Sequence, residues 1–264
     1  MSEAPLLSVE DLVVSLGSGR QRATVLKGIS FDLAAGTSLG IVGESGSGKS
    51  TLAKTIVGIH RPDRGVIRFD GTELTDRRGR RTTDVRRSIQ LVPQDPYSSL
   101  DPRRTIRQTL AEAIDPRRVA PRAHADRIEE LLALVHLGDD FATRYPHELS
   151  GGQRQRIAIA RALAVAPRLI IADEVTSALD VSTQAEIVAL LVELRARLGL
   201  TLVFVSHNLA VVQRLSDRLL VLLHGEVVEE GCADEVFRSP STTYTRALID
   251  SVPGGPGFDL ETSF

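Results

Sequence analysis

Apolar residues at alternate positions mark the first strands of the chain. Between residues 9 and 16, and again between residues 29 and 33, apolar side chains alternate with polar ones, as in strands with one buried face. Residues 39–42 form a short buried run that stops at Gly43, and residues 50–59 then show a helical pattern. The first third therefore predicts strands and turns, with one buried strand leading directly into a helix.

The middle of the chain has the spacing of amphipathic helices. From about residue 103 to residue 148, apolar residues recur at helical intervals and charged residues lie between them. One apolar face is formed by Ile128, Leu131, Leu132 and Val135. We expect an inserted helical subdomain at about residues 103–165.

The last third returns to strands that alternate with helices. The predicted order is strand 169–172, helix 182–198, strand 201–205, helix 208–215 and strand 219–223, followed by a hairpin at His224 and Gly225. Such a succession implies a mainly parallel sheet and hence an α/β protein. Residues 251–264, which are rich in glycine and proline at their start, predict a disordered tail.

Composition limits the classes of protein that remain. The chain has 264 residues, 42% of them hydrophobic, so it can bury a substantial core. A net charge of -2 argues weakly against a role in binding nucleic acid. The lone cysteine excludes an internal disulfide framework, and neither a signal peptide nor an apolar run of roughly 20 residues is evident. A reducing cytoplasm fits best, and any membrane role must come through a partner.

An arginine-rich stretch has two interpretations. Residues 76–87 contain six arginines. They fit either a patch that binds phosphate backbones or a solvated surface. The solvated surface is favoured because no aromatic residues are interleaved for base stacking.

A glycine-rich stretch between the buried strand and the helix has the pattern of a phosphate loop. The stretch reads Gly43-Glu44-Ser45-Gly46-Ser47-Gly48-Lys49-Ser50. Its glycines let backbone N–H groups curl around phosphate oxygens, and the helix that follows adds its positive end. We expect Lys49 to reach the β- and γ-phosphates of a nucleotide and Ser50 to ligate Mg²⁺.

Two carboxylates follow the apolar strand that starts at residue 169. Next to a phosphate loop, Asp173 is expected to hold Mg²⁺ through water, while Glu174 orients and deprotonates the attacking water. Without such a loop, an Asp-Glu pair after a strand is usually solvated.

Two further polar residues also follow predicted strands. Gln94 lies in a loop fixed by two prolines, and His207 follows the strand over residues 201–205. A loop glutamine is usually a surface residue, and a lone histidine is usually structural. Beside a phosphate loop, Gln94 is a candidate sensor of Mg²⁺ and water, and His207 a candidate contact of the γ-phosphate.

A second helix start has the features of an anion site. Ser150, Gly151 and Gly152 precede Gln153 at the start of a run that is helical through Ala166. A second phosphate site with no magnesium ligand or base of its own makes sense if it completes a nucleotide site on another subunit. An ordinary capped helix is the alternative interpretation.

Taken in order, these motifs resemble the ATPase subunit of ATP-binding cassette (ABC) transporters. The resemblance rests on residues 43–51, Gln94, residues 149–153 and 169–174, the stretch Ser177-Ala-Leu-Asp180, and His207, and it covers about residues 6–250. Residues 93–102, 177–184 and the late stretch Tyr244-Thr-Arg-Ala-Leu248 are similar to the dipeptide, oligopeptide and nickel importers.

The resemblance implies a P-loop NTPase core with a mainly parallel sheet, an N-terminal antiparallel β subdomain and an inserted helical subdomain. It also implies a head-to-tail dimer that holds two ATP molecules, each between residues 43–51 of one chain and residues 150–153 of the other. Thr51 then joins the nucleotide contacts, and Asp180 bridges the two halves. Glu174, His207 and Gln94 are the implied catalytic residues, and Ser50, Gln94 and Asp173 the implied Mg²⁺ ligands.

The implied partners are a second ATPase chain, identical or a sister protein, two transmembrane permease subunits and an extracytoplasmic solute-binding protein. The implied location is the cytoplasmic face of the membrane. A soluble cassette protein that acts on nucleic acid or ribosomes is the alternative, although such proteins typically carry two cassettes or a coiled-coil insertion. A binding module without turnover is disfavoured, because Lys49, Glu174 and His207 are all present.

The sequence departs from the family pattern at two positions. Val175 stands where the family usually has proline, a change we expect to be tolerated because no catalytic atom is lost. Leu16 stands where an aromatic residue would stack on adenine, and we therefore expect weaker selectivity for adenine.

Overall fold

The computed structural model describes residues 4–74 and 83–251, which form strands joined by helices and turns. The strands are β1 (Leu7–Leu16), β2 (Ala23–Leu33), β3 (Ser38–Val42), β4 (Arg64–Phe69), β5 (Thr72–Glu73), β6 (Ile89–Val92), β7 (Leu169–Asp173), β8 (Thr201–Val205), β9 (Arg218–Leu223) and β10 (Glu226–Cys232). The α-helices are α1 (Lys49–Ile56), α2 (Thr83–Ser88), α3 (Pro96–Ser99), α4 (Ile106–Ile114), α5 (Ala125–Leu134), α6 (Gly151–Leu163), α7 (Val181–Leu198), α8 (Leu209–Leu215), α9 (Ala233–Arg238) and α10 (Thr243–Asp250). Short 3-10 turns occupy Gly19–Gln21, Pro121–His124, Asp139–Thr143 and Pro146–Glu148.

The described residues divide into two compact units. Residues 4–74 and 203–251 form the first, here called the terminal unit, and residues 83–202 form the second, the central unit. Within the described residues, no helix is long and apolar enough to cross a membrane.

The terminal unit contains an antiparallel sheet with strand order β2-β1-β4-β5. In β1, Val9 pairs with Phe31 and Leu12 with Ile29, and the register shifts between them. Asp11, inside this irregularity, has a φ of 45°, in the left-handed region. The irregularity explains why the buried positions Val9 and Leu12 are three residues apart in a strand that otherwise alternates.

The strand β3 also belongs to the terminal unit and is buried along its whole length. It pairs in parallel with β9, and β9 turns at His224 and Gly225 into the antiparallel strand β10. A strand covered on both faces has a nearly continuous apolar sequence, as residues 39–42 show. Its rigid end at Val42 fixes the point from which the glycine-rich stretch departs.

The central unit contains the parallel pair β6 and β7 together with helices α2 to α7. Ile89 is aligned with Leu169, and Val92 with Ala172. The apolar face predicted for α5 is buried, with Ile128, Leu131 and Leu132 each at most 1% exposed. The two strands therefore end at the same level, where the loops that follow them emerge together.

Several predicted boundaries were wrong. The first helix ends at Ile56 instead of continuing to residue 59, and α6 ends at Leu163, three residues before Ala166. Among the described elements, residues 103–148 form two α-helices and three 3-10 turns, in keeping with the helical pattern predicted there. The domain limits 6–250 and 103–165 stay predictions.

Two predicted segments lie wholly or partly outside the described residues. The predicted tail, residues 251–264, lies outside the described residues from Val252 onward, and the arginine-rich stretch 76–87 lies outside them up to residue 82. The remaining residues of the arginine-rich stretch belong to α2.

The start of α10 depends on one buried carboxylate, Glu229 in β10. Its oxygens accept hydrogen bonds from Ser241 N at 2.7 Å and from Thr242 N and Oγ1 at 3.2 Å. Burial opposes ionisation of the carboxyl, but the hydrogen bonds outweigh it and hold the pKa of Glu229 at about 2. Because this pKa lies below its unfolded value, the charge stabilises the fold above that value, and the stabilisation is lost as pH falls toward 2.

We therefore expect Glu229→Gln to lower the free energy of unfolding by about 2 kcal/mol near neutral pH. The difference from wild type should shrink as pH falls from about 5 toward about 2, since over this range the unfolded state binds a proton at Glu229 before the folded state does. Urea unfolding of both proteins across this pH range measures the difference in the free energy of unfolding. A difference independent of pH would contradict the role given to the charge.

Candidate functional site

The predicted phosphate loop, residues 43–50, joins the end of β3 to the start of α1 in the terminal unit. Gly43 has a φ of 146° and Gly48 a φ of 106°, conformations that side chains disfavour. A Cβ on Gly43 would lie 2.1 Å from the carbonyl oxygen of Leu222, and one on Gly48 would lie 2.7 Å from Leu26 Cδ2. Both positions therefore require glycine for conformation and for space.

Lys49 is the first residue of α1, and it is only 4% exposed. Its Nζ donates hydrogen bonds to the carbonyl oxygens of Gly43 at 2.7 Å and Glu44 at 2.8 Å. A buried ammonium group is stable only when such partners replace water. The contacts hold the positive charge inside the loop, as the sequence predicts for a group that binds phosphate.

Other features of the loop also fit a phosphate chain. Ser47 Oγ is buried and has no hydrogen-bond partner among the described residues, so a polar ligand group can satisfy it. The N-terminal turn of α1 adds the partial positive charge of a helix start. Ser50, in that first turn and half-buried, carries a hydroxyl of the oxygen type that Mg²⁺ prefers.

The loop is supported by residues from the end of the chain, which the motif analysis missed. Glu44 N donates to Tyr244 Oη at 3.1 Å, and Gly225 N donates to Ser47 O at 3.0 Å. No local pattern points to these contacts, because the partners are far apart in sequence.

His207 lies in the terminal unit, two residues after the end of β8. The neighbouring Ser206 N donates to Ile41 O at 3.3 Å, and Ile41 precedes the phosphate loop by two residues. His207 itself is exposed, and Asn208 caps the helix that follows. The structure therefore brings His207 to the edge from which the phosphate loop departs.

In the central unit, β7 ends with the two predicted carboxylates. Asp173 is 4% exposed, and Glu174 is half-buried with a φ of 49°. The left-handed conformation costs a non-glycine residue about 1–2 kcal/mol. Ser177 offsets this cost, since its N and Oγ donate to the carbonyl oxygen of Glu174 at 3.1 and 2.9 Å. The turn fixes the direction in which the Glu174 side chain leaves the strand.

Gln94 is part of the same group. It lies in the exposed loop after β6, and its Nε2 donates to Ser177 Oγ at 3.2 Å. The parallel pairing of β6 with β7 brings the two loops to one sheet edge. Gln94 is therefore joined, through Ser177, to the turn that begins at Glu174.

The predicted second anion site is a capped helix start with one exposed glycine. Ser150 Oγ accepts from Gln153 N at 3.3 Å, and Gln153 Oε1 accepts from Ser150 N at 2.9 Å. Gly152 is buried, and a Cβ there would lie 2.4 Å from Thr183 Cγ2, whereas Gly151 is exposed. Close packing therefore requires Gly152, and Gly151 faces the surface at the positive end of α6.

Asp180 caps the start of α7. Its carboxylate accepts from Thr183 N at 2.9 Å and Thr183 Oγ1 at 2.8 Å, and from Ser182 Oγ at 2.6 Å. These hydrogen bonds, with that from Ser182 the largest influence, hold the pKa of Asp180 well below its usual range. Asp180 is thus a fixed anion beside the Gly152 contact with Thr183.

The predicted residues therefore form two groups. Residues 43–51 and His207 belong to the terminal unit, and Gln94, residues 150–153, Asp173, Glu174 and Asp180 belong to the central unit. Leu16, half-buried, ends β1 opposite Ala23, and Val175 is 2% exposed.

Known proteins resemble this chain in sequence and in fold. A family model described as ABC transporter matches residues 26–177. The chain is 43% identical, over 251 residues, to the oligopeptide transport ATP-binding protein OppF of Bacillus subtilis, covering 94% of this chain and 82% of that protein.

Two solved structures are similar in fold. The structure of cbiO1 from Clostridium perfringens, part of the ABC transporter complex cbiONQ, matches with a TM-score of 0.78 and 31% identity, over 90% of this chain and 92% of that one. A dimeric ATP-binding cassette in a post-hydrolysis state, bound to ADP and Pi, matches with a TM-score of 0.74 and 30% identity, over 86% and 98%.

These likenesses confirm the predicted α/β fold with its phosphate loop and mostly parallel sheet. The family model covers more than half of the chain, and the identity to OppF extends over nearly all of it. The chain therefore belongs to the ABC transporter family, as an ATP-binding and ATP-hydrolysing subunit.

Proposed function

We propose that this ATPase energises the uptake of peptides or a related small solute through membrane subunits. The phosphate loop is the chief structural support, because it holds a buried lysine and a buried serine hydroxyl that has no protein partner among the described residues. The import class is supported by relatives named for oligopeptide transport and for glutathione import, each 43% identical to this chain.

In the proposed reaction, residues 43–51 hold the phosphates of ATP, and Lys49 contacts the β- and γ-phosphates. Glu174 accepts a proton from the water that attacks the γ-phosphorus, and ADP and inorganic phosphate leave. His207 donates a hydrogen bond to the γ-phosphate. Ser50, Gln94 and Asp173 are the proposed ligands of Mg²⁺, which when bound neutralises phosphate charge.

We further propose that residues 150–153 and Asp180 act on ATP held by a second ATPase chain, a copy of this one or a sister subunit. Gly151 is exposed at the helix start, so its N–H can approach a phosphate from outside this chain. ATP then favours the closed dimer, because it contacts two chains when the dimer is closed and one when it is open.

The central unit also carries a candidate surface for a permease subunit. A cleft of about 360 Å³ is lined by residues that include Gln90, Pro93, Ser99, Glu112 and Arg161. The cleft presents apolar carbon together with one acidic and one basic side chain, as the apolar core and polar rim of a protein interface do.

Tyr97 is 48% exposed in the short helix α3, which ends at Ser99, and the guanidinium of Arg154 covers its ring at 4.1 Å. We propose that two permease subunits engage this surface at the cytoplasmic face of the membrane, and that an extracytoplasmic protein delivers the solute.

Glu174→Gln is expected to lower steady-state ATP hydrolysis by at least about 100-fold, because the amide cannot accept the proton of the attacking water. Binding of ATP with Mg²⁺ should persist, together with ATP-dependent dimerisation measured by light scattering. Glu129→Gln, on an exposed helix face, is the matched control. Retained turnover in Glu174→Gln would refute the assignment of the base.

Gly151→Asp is expected to lower hydrolysis by at least about tenfold, because its carboxylate would face the γ-phosphate of the partner's ATP. Gly151→Ala is the control for bulk, since among the described residues a Cβ there meets only Leu179 Cδ2, at 3.3 Å. Nucleotide affinity of the isolated monomer should not change in either variant. If Gly151→Asp weakened it as much as Lys49→Ala does, the two-chain site would be wrong.

Tyr97→Ala is expected to reduce solute transport and the stimulation of ATPase by permease subunits, while the basal rate of the purified ATPase stays within about twofold. Tyr97→Phe keeps the ring over Arg154 and should behave like wild type. Transport and ATPase are measured in the reconstituted complex. Equal losses of basal ATPase and transport would count against a coupling role.

A further inference from the structure

The helix α10 contacts the phosphate loop through one side chain. Tyr244, in its first turn, is half-buried, and its Oη accepts a hydrogen bond from Glu44 N at 3.1 Å. Burial raises the pKa of Tyr244, so the phenol is neutral at physiological pH. A neutral hydroxyl thus holds a main-chain N–H of the loop.

The carbonyl group of the same loop residue, Glu44, is bound by Lys49. The carbonyl oxygen of Glu44 accepts from Lys49 Nζ at 2.8 Å, while its N–H is bound by Tyr244. Peptide planes are rigid, so fixing the N–H of Glu44 also limits where the carbonyl of the preceding residue, Gly43, can lie. That carbonyl is the second acceptor of Lys49. The position of the ammonium group therefore depends on the contact with Tyr244.

The start of α10, which carries Tyr244, is held in place by hydrogen bonds. Thr242 caps α10 by accepting from Thr245 N at 3.1 Å, and Thr245 is 1% exposed. Glu229 holds Ser241 and Thr242 from the preceding strand, as described above. Because the start of α10 is held by several hydrogen bonds, the tyrosine hydroxyl is presented to the loop at low entropic cost.

The same stretch of chain also contacts the far side of the loop. Gly225 N donates to Ser47 O at 3.0 Å, in the hairpin from which β10 leads toward α10. Residues 225–250 thus contact the loop at Glu44 and again at Ser47. A segment that binds two points of one loop constrains its shape more than a single contact does.

We propose that Tyr244 is a positioning residue for the nucleotide, which acts by fixing the peptide of Glu44 and, through it, Lys49. The inference rests on the function proposed above for the phosphate loop. Tyr244 touches neither the nucleotide nor the attacking water in this account. Its hydroxyl sets the affinity for nucleotide phosphates, and the chemical step is left to Glu174.

Tyr244→Phe tests the proposal, since it removes one hydroxyl and keeps the ring. We expect KM for ATP and the dissociation constant for ADP to rise about threefold to tenfold, the range of one lost hydrogen bond. The value of kcat should stay within about twofold, and so should the urea midpoint of the full-length protein. Tyr145→Phe is the matched control, because its hydroxyl lies in the central unit.

The two proposals fail separately. Unchanged ADP affinity and KM in Tyr244→Phe, with loss of nucleotide binding in Lys49→Ala, would overturn the role of Tyr244 alone. A lower unfolding midpoint with unchanged KM would also overturn it, since the hydroxyl would then serve only the fold. Full ADP binding by Lys49→Ala would instead overturn the proposed function of the loop.

Discussion

The site in the terminal unit depends on a positive charge that is buried next to main-chain carbonyl groups. Lys49 loses nearly all contact with water, and the oxygens of Gly43 and Glu44 replace that water. Only a loop that folds back on itself can present both oxygens to one ammonium group. The glycines at positions 43 and 48 allow this path, and the rigid strand β3 defines where it starts. Charge, loop and strand therefore stabilise one another.

In the central unit, the candidate functional residues also stabilise helix starts and a turn. Asp180 and Ser150 cap the starts of α7 and α6, and the side chain of Gln153 accepts a hydrogen bond from the N–H of Ser150. Gln94 donates a hydrogen bond to Ser177, in the turn that begins at Glu174. Side chains held in this way have few rotamers available, so little entropy remains to be lost when a ligand binds. The structural and the functional interpretation of the α6 start are thus compatible, because a capped helix with an exposed glycine still offers N–H groups to an anion.

The features that could be predicted from the sequence are those that depend on short local patterns. The phosphate loop, the buried strand before it and the strand that ends at Asp173 depend on short patterns, and each lies where it was predicted. The ends of helices were harder, since α6 stops at Leu163 although alanines continue beyond it. The left-handed conformation of Glu174 had no signal, because it depends on Ser177 and on the tertiary position of the turn. The support from Tyr244 could not be foreseen either, because it joins segments that no local pattern relates.

The bond between Glu44 and Tyr244 has a consequence for the order in which the protein is made. The two residues are 200 positions apart, so the loop leaves the ribosome long before the hydroxyl that holds it. At about 5–20 residues per second, the delay is roughly 10–40 seconds. During that time the nascent chain carries the phosphate motif without the hydroxyl of Tyr244, and with the role proposed for Tyr244 its affinity for nucleotide rises when α10 has been made. Synthesis of α10 thereby completes the hydrogen bonding of a loop that was made about 200 residues earlier.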